Sequence, residues 1–263
     1  MYLNSIKQIE KAYYTGEEPV LVLCSDWNAY VCKYNRYSGS ANKLACEWIG
    51  VQIASKYGLN VPPFRLVKVK REHVMASMSP SFFVRTCVGS RLLDSVIDVT
   101  PSSNMGFSSS KRLLLDLLNI ALFDIWVSNE DRNNNNSNLM YDMNQNRFVP
   151  IDFGCIFNTA TFDFPLSELT YNDTILQSAL FQKIRGNMNV DCVRGEVALL
   201  LENLKSMSAK VNAASLMKTL PEDWCINKKQ IAKKINELFT QNWMNRVEQT
   251  FMNYLMDNMN NEK

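Results

Sequence analysis

The hydrophobic pattern of this chain changes near residue 110. Before that point, short apolar or alternating runs such as "PVLVLCS" (19–25) and "AYVCKY" (29–34) predict half-buried strands joined by a turn at "DWN". Beyond it, apolar residues recur at helical spacing, beginning with "SSSKRLLLDLLNIALFDIWVSN" (108–129). Strands and helices that are segregated along a chain, rather than alternating, are typical of an α+β fold.

The strand-rich part also contains one helix. "SANKLACEWIGVQIASKYGLNVPP" has apolar residues at helical spacing, and Gly58 followed by two prolines predicts its end. "FRLVKVK" and "SFFVRTCV" predict two further strands, and "TPSSNMGFSSS" (100–110) is the best candidate for a linker. We therefore expect a small β-rich N-lobe, residues 1–90, and a larger, mainly helical C-lobe, residues 91–263.

Charge and cysteine usage exclude several classes of protein. Lys and Arg number 28 against 26 Asp and Glu, a balance that argues against a nucleic-acid-binding or membrane-surface protein. No apolar stretch approaches the roughly 20 residues of a transmembrane helix, and the N-terminus lacks the apolar run of a signal peptide. Seven scattered cysteines without a CxxC pair favour free thiols. We expect a cytoplasmic protein.

A single histidine, His73, further restricts the chemistry. It excludes a multi-histidine metal site and leaves a Ser-His-Asp or Cys-His hydrolase with one candidate base. His73 lies in the charged stretch "KVKREHVMAS", which predicts a surface position.

Five residues form the pattern that points to a reaction. Lys33 lies on a predicted strand, Glu47 on the helix that follows, Asp131 and Asn136 are five apart in "DRNNNN", and Asp152 opens "DFG". Phosphoryl transfer from ATP needs a lysine for the phosphates, a glutamate to orient it, an Asp at the acceptor hydroxyl, and an Asn and a second Asp for Mg²⁺. The interval of five matches the D-x-x-x-x-N spacing of protein kinases.

Each of these residues alone has an ordinary structural explanation. A strand lysine is usually a surface residue with a buried stem, and a run of asparagines is usually a polar loop. Order, intervals and predicted secondary structure agree, however, and together they favour an ATP- and Mg²⁺-dependent phosphotransferase.

The chain resembles the HipA-like kinases, a bacterial branch of the protein-kinase-like fold. The resemblance rests on "EWIGVQIASKYGLNVPP" (47–63), "LFDIWVSNEDRNNNNSNLMYD" (122–142) and "FVPIDFGCIF" (148–157), with weaker support from "AYVCKY" and "LPEDW" (220–224). It implies a two-lobed kinase-like fold and phosphorylation of Ser or Thr on a protein. Characterised toxins of the family modify aminoacyl-tRNA synthetases, so the resemblance implies such a substrate and an antitoxin partner, with no direct nucleic-acid or membrane partner.

The resemblance also implies a role for each of the five residues. Lys33 would contact the ATP phosphates with Glu47 as its ion-pair partner. Asp131 would be the catalytic acid that accepts or orients the proton of the acceptor. Asn136 and Asp152 would be the Mg²⁺ ligands.

Two departures keep other functions open. Asn133 stands where related kinases commonly have a histidine, and "CSDWNAY", upstream of Lys33, has no glycine. "YSGSANK" (37–43) is either the N-terminal turn of the helix or a phosphate-contacting or autophosphorylated loop, with Ser38 and Ser40 as the candidate phosphorylation sites. The alternatives are a lipid or small-molecule kinase on the same fold, and a non-catalytic nucleotide-binding or interaction module.

Overall fold

The computed structural model describes residues 2–13, 16–37, 40–100 and 106–259. In this part of the chain the strands are β1 (Tyr2–Asn4), β2 (Lys11–Ala12), β3 (Val20–Leu23), β4 (Ala29–Lys33), β5 (Phe64–Lys68), β6 (Cys87–Arg91), β7 (Val96–Asp98), β8 (Leu139–Asp142) and β9 (Arg147–Pro150). The helices are α1 (Ser40–Tyr57), α2 (Lys111–Val127), α3 (Ile156–Ala160), α4 (Ala179–Arg185), α5 (Arg194–Lys210), α6 (Ala213–Thr219), α7 (Lys228–Glu237) and α8 (Gln241–Met259). None of these described helices combines the length and the apolar character needed to cross a membrane.

Six strands form the sheet of the first lobe, in the order β1-β5-β6-β4-β3-β2. β1 runs parallel to β5, and the other neighbours are antiparallel. The predicted β3–β4 hairpin is confirmed, with Val20 opposite Cys32 and Leu23 opposite Ala29. The α+β prediction, a sheet-rich part followed by a helical part, is confirmed as well, whereas the boundary between residues 90 and 91 stays a prediction.

The strand predicted over "SFFVRTCV" is wrong in its first half. Pro80–Phe83 forms a 3-10 turn with the Ser79 side chain at its N-terminus, and β6 begins only at Cys87. Proline lacks the N–H that a strand ladder needs, which favours the turn. In front of β6, the Thr86 N–H and hydroxyl donate to Asp223 (3.0 and 2.7 Å), so the "LPEDW" segment ties the helical part to the sheet.

His73 is half-buried rather than on the surface as predicted. Its Nδ1 lies 2.8 Å from Oγ of the buried Ser5, which also accepts the Lys70 N–H at 2.9 Å. The histidine thus joins the loop after β5 to the end of β1.

Helix α1 packs into the large core that also contains the C-terminal helices. Tyr57, at its end, lies 5.4 Å from the Phe123 ring, measured between ring centroids, and Gly58 follows with φ +99°. Gly50 faces Phe153 so closely that a Cβ at position 50 would lie 2.5 Å from Phe153 Cβ. The first lobe's sheet has a separate small core, so α1 is positioned mainly by the helical lobe.

The helical lobe begins with α2, as the sequence predicts. The Ser110 side chain accepts the Leu113 N–H at 3.4 Å, an N-cap, and Ser128 ends the helix in the left-handed region. The predicted linker precedes it, but residues 101–105 lie outside the described residues. Strands β7, β8 and β9 form a second, antiparallel sheet. The asparagine-rich loop lies between α2 and β8, and Asp152 follows β9.

Candidate active site

Lys33, Glu47 and Asp152, called here the lysine half, meet in one cluster of charges. The Lys33 ammonium lies 2.5 Å from Asp152 Oδ1 and 3.0 Å from Glu47 Oε2. Lys33 is the last residue of β4, Glu47 lies in the second turn of α1, and Asp152 follows β9. Strand, helix and loop therefore bring together three residues that the sequence separates widely, as the pattern predicts.

The Glu47 carboxylate is buried and accepts two hydrogen bonds through one oxygen. Oε2 accepts from Lys33 and from the backbone N–H of Phe153 at 2.8 Å. The glutamate thereby joins the lysine to the "DFG" segment. Burial raises the pKa of Glu47 to about 7, against the opposing effect of the Lys33 charge.

The pKa values of Lys33 and Asp152, the other two members of the lysine half, shift in opposite directions. Burial alone would lower the pKa of Lys33, but the carboxylates of Asp152 and Glu47 raise it well above its ordinary value. Burial alone would raise the pKa of Asp152, but the Lys33 ammonium holds it below its ordinary value. A charged lysine is thus held between acceptors, ready to contact an anion.

Asp131 and Asn136, called here the loop half, are joined by a hydrogen bond. Asn136 Nδ2 donates to Asp131 Oδ1 at 3.2 Å, and Asn138 Nδ2 donates to Asp131 Oδ2 at 3.0 Å. Two amides therefore orient the carboxylate, and the Asn136 donation leaves its own amide oxygen for another partner. Asn138, at φ +44°, adopts the left-handed conformation that asparagine tolerates well.

Asn133 supports this loop through hydrogen bonds. Its Oδ1 accepts the N–H groups of Asn135 (2.9 Å) and Asn136 (3.3 Å), and its Nδ2 donates to the Glu130 carbonyl at 2.9 Å. The side chain that departs from the kinase pattern thus closes the turn that presents Asn136.

Arg132 lies fully buried beneath the loop half. Its Nε donates to Asp124 Oδ2 at 2.8 Å, a buried ion pair with α2. Its Nη1 donates to the carbonyl groups of Asn138 and, at 2.9 Å, Ile151, and its Cζ lies 5.4 Å from the centroid of the Phe153 ring. One guanidinium therefore connects the catalytic-loop candidate to the residues on either side of Asp152.

One carboxylate from each half, Asp131 and Asp152, acts electrostatically on Cys155. Burial raises the pKa of this thiol to about 12, and the charges of Asp131 and Asp152 add to the rise. Both carboxylates therefore lie within electrostatic range of one side chain. A carboxylate and an amide oxygen are ligands that Mg²⁺ prefers, so the donor types of Asn136 and Asp152 fit that ion. Among the described residues, no three His, Cys, Asp or Glu side chains form a metal-binding group.

The chain turns sharply after Asp152, which itself has φ +62°. Residues 157–160, in α3, all have positive φ and form a left-handed turn, a costly conformation for residues other than glycine. The Thr159 hydroxyl donates to Glu130, next to Asp131. The segment after "DFG" is therefore held against the loop half.

Sequence reasoning missed the loop between β2 and β3, which carries Gly16 and Glu17. The stretch "CSDWNAY", which has no glycine, includes the β3–β4 turn, whereas the loop before β3 contacts Lys33 through Glu17. Glu17 Oε2 lies 3.4 Å from Lys33 Nζ, and Oε1 lies 3.4 Å from Lys43 Nζ. Lys43 also lies on α1, one turn before Glu47.

A cleft of about 370 Å³ opens beside these residues. Among the residues that line it are Glu17, Lys33, Arg36, Lys43 and Thr159. Each of the three cations is paired here with an acidic side chain, and they are the groups that an anionic ligand in the cleft would contact. Ser38, one of the two candidate phosphorylation sites, lies outside the described residues, and α1 begins at the other, Ser40. Autophosphorylation at either serine stays a prediction.

Solved structures of kinases are similar to this chain in fold. The crystal structure of the Helicobacter pylori proinflammatory kinase CtkA is similar over 96% of this chain and 99% of that one, with a TM-score of 0.58 and 13% identity. The Golgi casein kinase structure is similar over 94% of this chain and 74% of that one, with a TM-score of 0.49 and 14% identity. The sequence matches no curated protein.

The family comparison covers nearly the whole chain. The model of the HipA-like kinase family matches residues 6–256, a range that includes both halves of the site. The two-lobed architecture is that of a kinase-like fold, which confirms the predicted fold class. This chain belongs to the HipA-like kinase family and is a kinase-type phosphotransferase.

Proposed function

We propose that this protein is an ATP- and Mg²⁺-dependent kinase that phosphorylates serine or threonine residues of a protein. The observation that carries the proposal is the Lys33 ammonium held 3.0 Å from Glu47 and 2.5 Å from Asp152. In protein kinases a lysine paired with a glutamate binds the ATP phosphates. An ion pair that served only to hold β4 against α1 would not require Asp152, which comes from the segment after β9.

Each residue of the site has a defined role in this proposal. Lys33 binds the α- and β-phosphates, and Glu47 orients it. Asp131 positions the acceptor hydroxyl and takes its proton, while the acceptor oxygen bonds to the γ-phosphorus and ADP leaves. Asn136 and Asp152 hold Mg²⁺, which neutralises phosphate charge when bound.

The electrostatics of the lysine half support a divalent cation. Glu47, Asp152 and Glu17 surround Lys33, and within the described part of the chain Lys43 is the only other cation that forms an ion pair with any of them. Three carboxylates thus face two ammonium groups. Burial raises the pKa of Glu47 to about 7 against the lowering effect of the Lys33 charge, and the charges of Asp152 and Glu17 add to the rise. A cation beside Asp152 would offset it.

Family membership supports the biological part of the proposal. We propose that the protein is a toxin of a toxin–antitoxin pair, that its substrate is a translation component such as an aminoacyl-tRNA synthetase, and that an antitoxin restrains it in the cytoplasm. Neither a nucleic acid nor a membrane is needed as a direct partner.

The test is transfer of label from γ-³²P-ATP with Mg²⁺ to proteins of a cell lysate. Asp131→Asn is expected to lower the rate by at least about 100-fold, because it removes the proton acceptor. Asp191→Asn, which makes the same change at an exposed residue paired with Arg194, serves as the matched control and is expected to keep the rate. Phosphoamino-acid analysis should show phosphoserine or phosphothreonine.

Three other outcomes would contradict parts of the proposal. Binding of ATP without transfer to any acceptor would favour a non-catalytic nucleotide-binding module. Label in lipids or small molecules but not in proteins would favour the other kinase alternative. Growth arrest by the wild type that Asp131→Asn does not relieve would contradict a toxin that acts by phosphorylation.

A further inference from the structure

One glutamate in the candidate site bridges two lysines. Each carboxylate oxygen of Glu17 faces one ammonium group, Lys33 Nζ and Lys43 Nζ, both at 3.4 Å. Glu17 comes from the loop between β2 and β3, Lys33 from the end of β4, and Lys43 from the first turns of α1. The carboxylate therefore stands between two cations on separate elements, as a phosphate group would.

The bridge is weak enough to be replaced. Both contacts are longer than the roughly 2.7–2.9 Å of a strong charge-assisted hydrogen bond. The Glu17 and Lys43 side chains are 36% and 43% exposed, so water screens the attraction between them. A di- or triphosphate carries more charge than one carboxylate and competes favourably for the same two cations.

Lys43 is well placed to act with Lys33. It precedes Glu47 by four residues on α1, so the two side chains lie on the same face of the helix. Its backbone oxygen lies near Gly154, at 3.8 Å from the position that a Cβ there would occupy. Both lysines line the same cleft of about 370 Å³.

We propose that Lys43 is a second phosphate-binding cation and that Glu17 is the internal counter-ion which the phosphates of a nucleotide displace. The inference rests on the nucleotide site of the proposed function and adds a residue to it. Binding of a polyphosphate breaks the Glu17 contacts with Lys33 and Lys43, and the released carboxylate, already 36% exposed, turns to solvent. The affinity for a nucleotide then depends on how much stronger the contacts of Lys33 and Lys43 with the phosphates are than their contacts with Glu17.

The experiment compares the Kd of adenosine, ADP and ATP, measured by titration calorimetry with and without Mg²⁺. Glu17→Gln is expected to tighten ATP binding up to about fivefold, since it removes a competing surface ion pair. Lys43→Met is expected to weaken ATP binding by about tenfold or more, since it removes a charged contact. Neither change should alter the Kd of adenosine, which lacks phosphates.

Two further variants make the result specific. Glu10→Gln makes the same charge change at an exposed residue paired with Lys7, and it should leave all three Kd values unchanged. In the Lys43→Met background, Glu17→Gln should tighten ATP binding less than it does in the wild type, because one of its two partners is gone. Circular dichroism checks that each variant is folded.

The outcomes separate this inference from the proposed function. An ATP affinity that neither substitution changes, or equal changes for adenosine and ATP, would overturn the role of Lys43 and Glu17. A wild type that binds ATP but transfers no phosphate would remove the proposed kinase reaction, while the Kd comparison would still decide the inference. A folded wild type that binds neither ADP nor ATP would overturn both.

Discussion

The lysine half and the loop half of the site are held in place by different interactions. The lysine half lies on elements packed into the cores, and α1 approaches Phe153 so closely that only glycine fits at position 50. The loop half is largely exposed, and its shape depends on short amide side chains above one buried ion pair, Arg132 with Asp124. We therefore expect the lysine half to be disrupted by a larger side chain at a packed position, and the loop half by removal of the single charge that pairs with Arg132.

The largest effect is expected from removing the charge beneath the loop half. Asp124→Ala leaves the Arg132 guanidinium buried without its counter-ion, which is expected to cost about 3–5 kcal/mol of the free energy of unfolding. Denaturant unfolding at neutral pH measures it.

The same helix offers a matched control. Asp116, also on α2, pairs with Arg147 at 3.0 Å, but Arg147 is 35% exposed. Asp116→Ala is expected to cost about 1–2 kcal/mol, because Arg147 remains hydrated and only the Phe148 N–H, 3.2 Å from Asp116 Oδ2, loses its acceptor. Equal costs for the two substitutions would contradict the special role of the buried pair.

A pH-dependent effect of intermediate size is expected in the lysine half. Burial raises the pKa of Glu47 from 4.5 to about 7, so the folded protein binds this proton more tightly than the unfolded chain. Stability from this group is complete below the unfolded pKa and is lost as the pH rises through the folded one. Relative to Glu47→Gln, the free energy of unfolding of the wild type should fall by about 3 kcal/mol between the two pKa values.

Denaturant titrations at closely spaced pH values measure this difference. Asp152 does not contribute in that window, because the Lys33 charge overcomes the effect of burial and holds the pKa of Asp152 below 3.8. A difference that stays constant or rises with pH would show that folding does not raise the pKa of Glu47.

A smaller effect of volume sharpens the same comparison. Gly50→Ala places a methyl group against Phe153 and is expected to destabilise the fold by about 1–3 kcal/mol and to lower phosphoryl transfer, since α1 must shift away from Asp152. Gly195, near the start of α5, has open space around the corresponding position. Gly195→Ala is expected to stabilise the protein by about 0.5 kcal/mol. The midpoint temperature of thermal unfolding should therefore fall for Gly50→Ala and rise for Gly195→Ala.

The parts of the fold and of the site that could be predicted are those that depend on residue patterns within a short stretch of sequence. Apolar periodicity marked β3, β4, α1 and α2, because each pattern reflects which side of an element is buried. The interval between Asp131 and Asn136 predicted their proximity, and the two are hydrogen-bonded at 3.2 Å. Two residues five apart in one loop are close enough along the chain for a single turn to bring them together.

Some residues gave no local signal of their importance. Arg132 reads as one more polar loop residue, yet it is fully buried and contacts both Asp124 and Ile151. Glu17 lies in a hairpin loop, and its proximity to Lys33 becomes apparent only once the order of the strands in the sheet is known. The sequence alone indicated the five residues to which we assign the chemistry in our proposal, while the tertiary structure determined the contacts around them. The physical reason is that a bond such as Glu47 to Phe153, 106 residues apart, depends on how helices and sheets pack, and no local pattern encodes that packing.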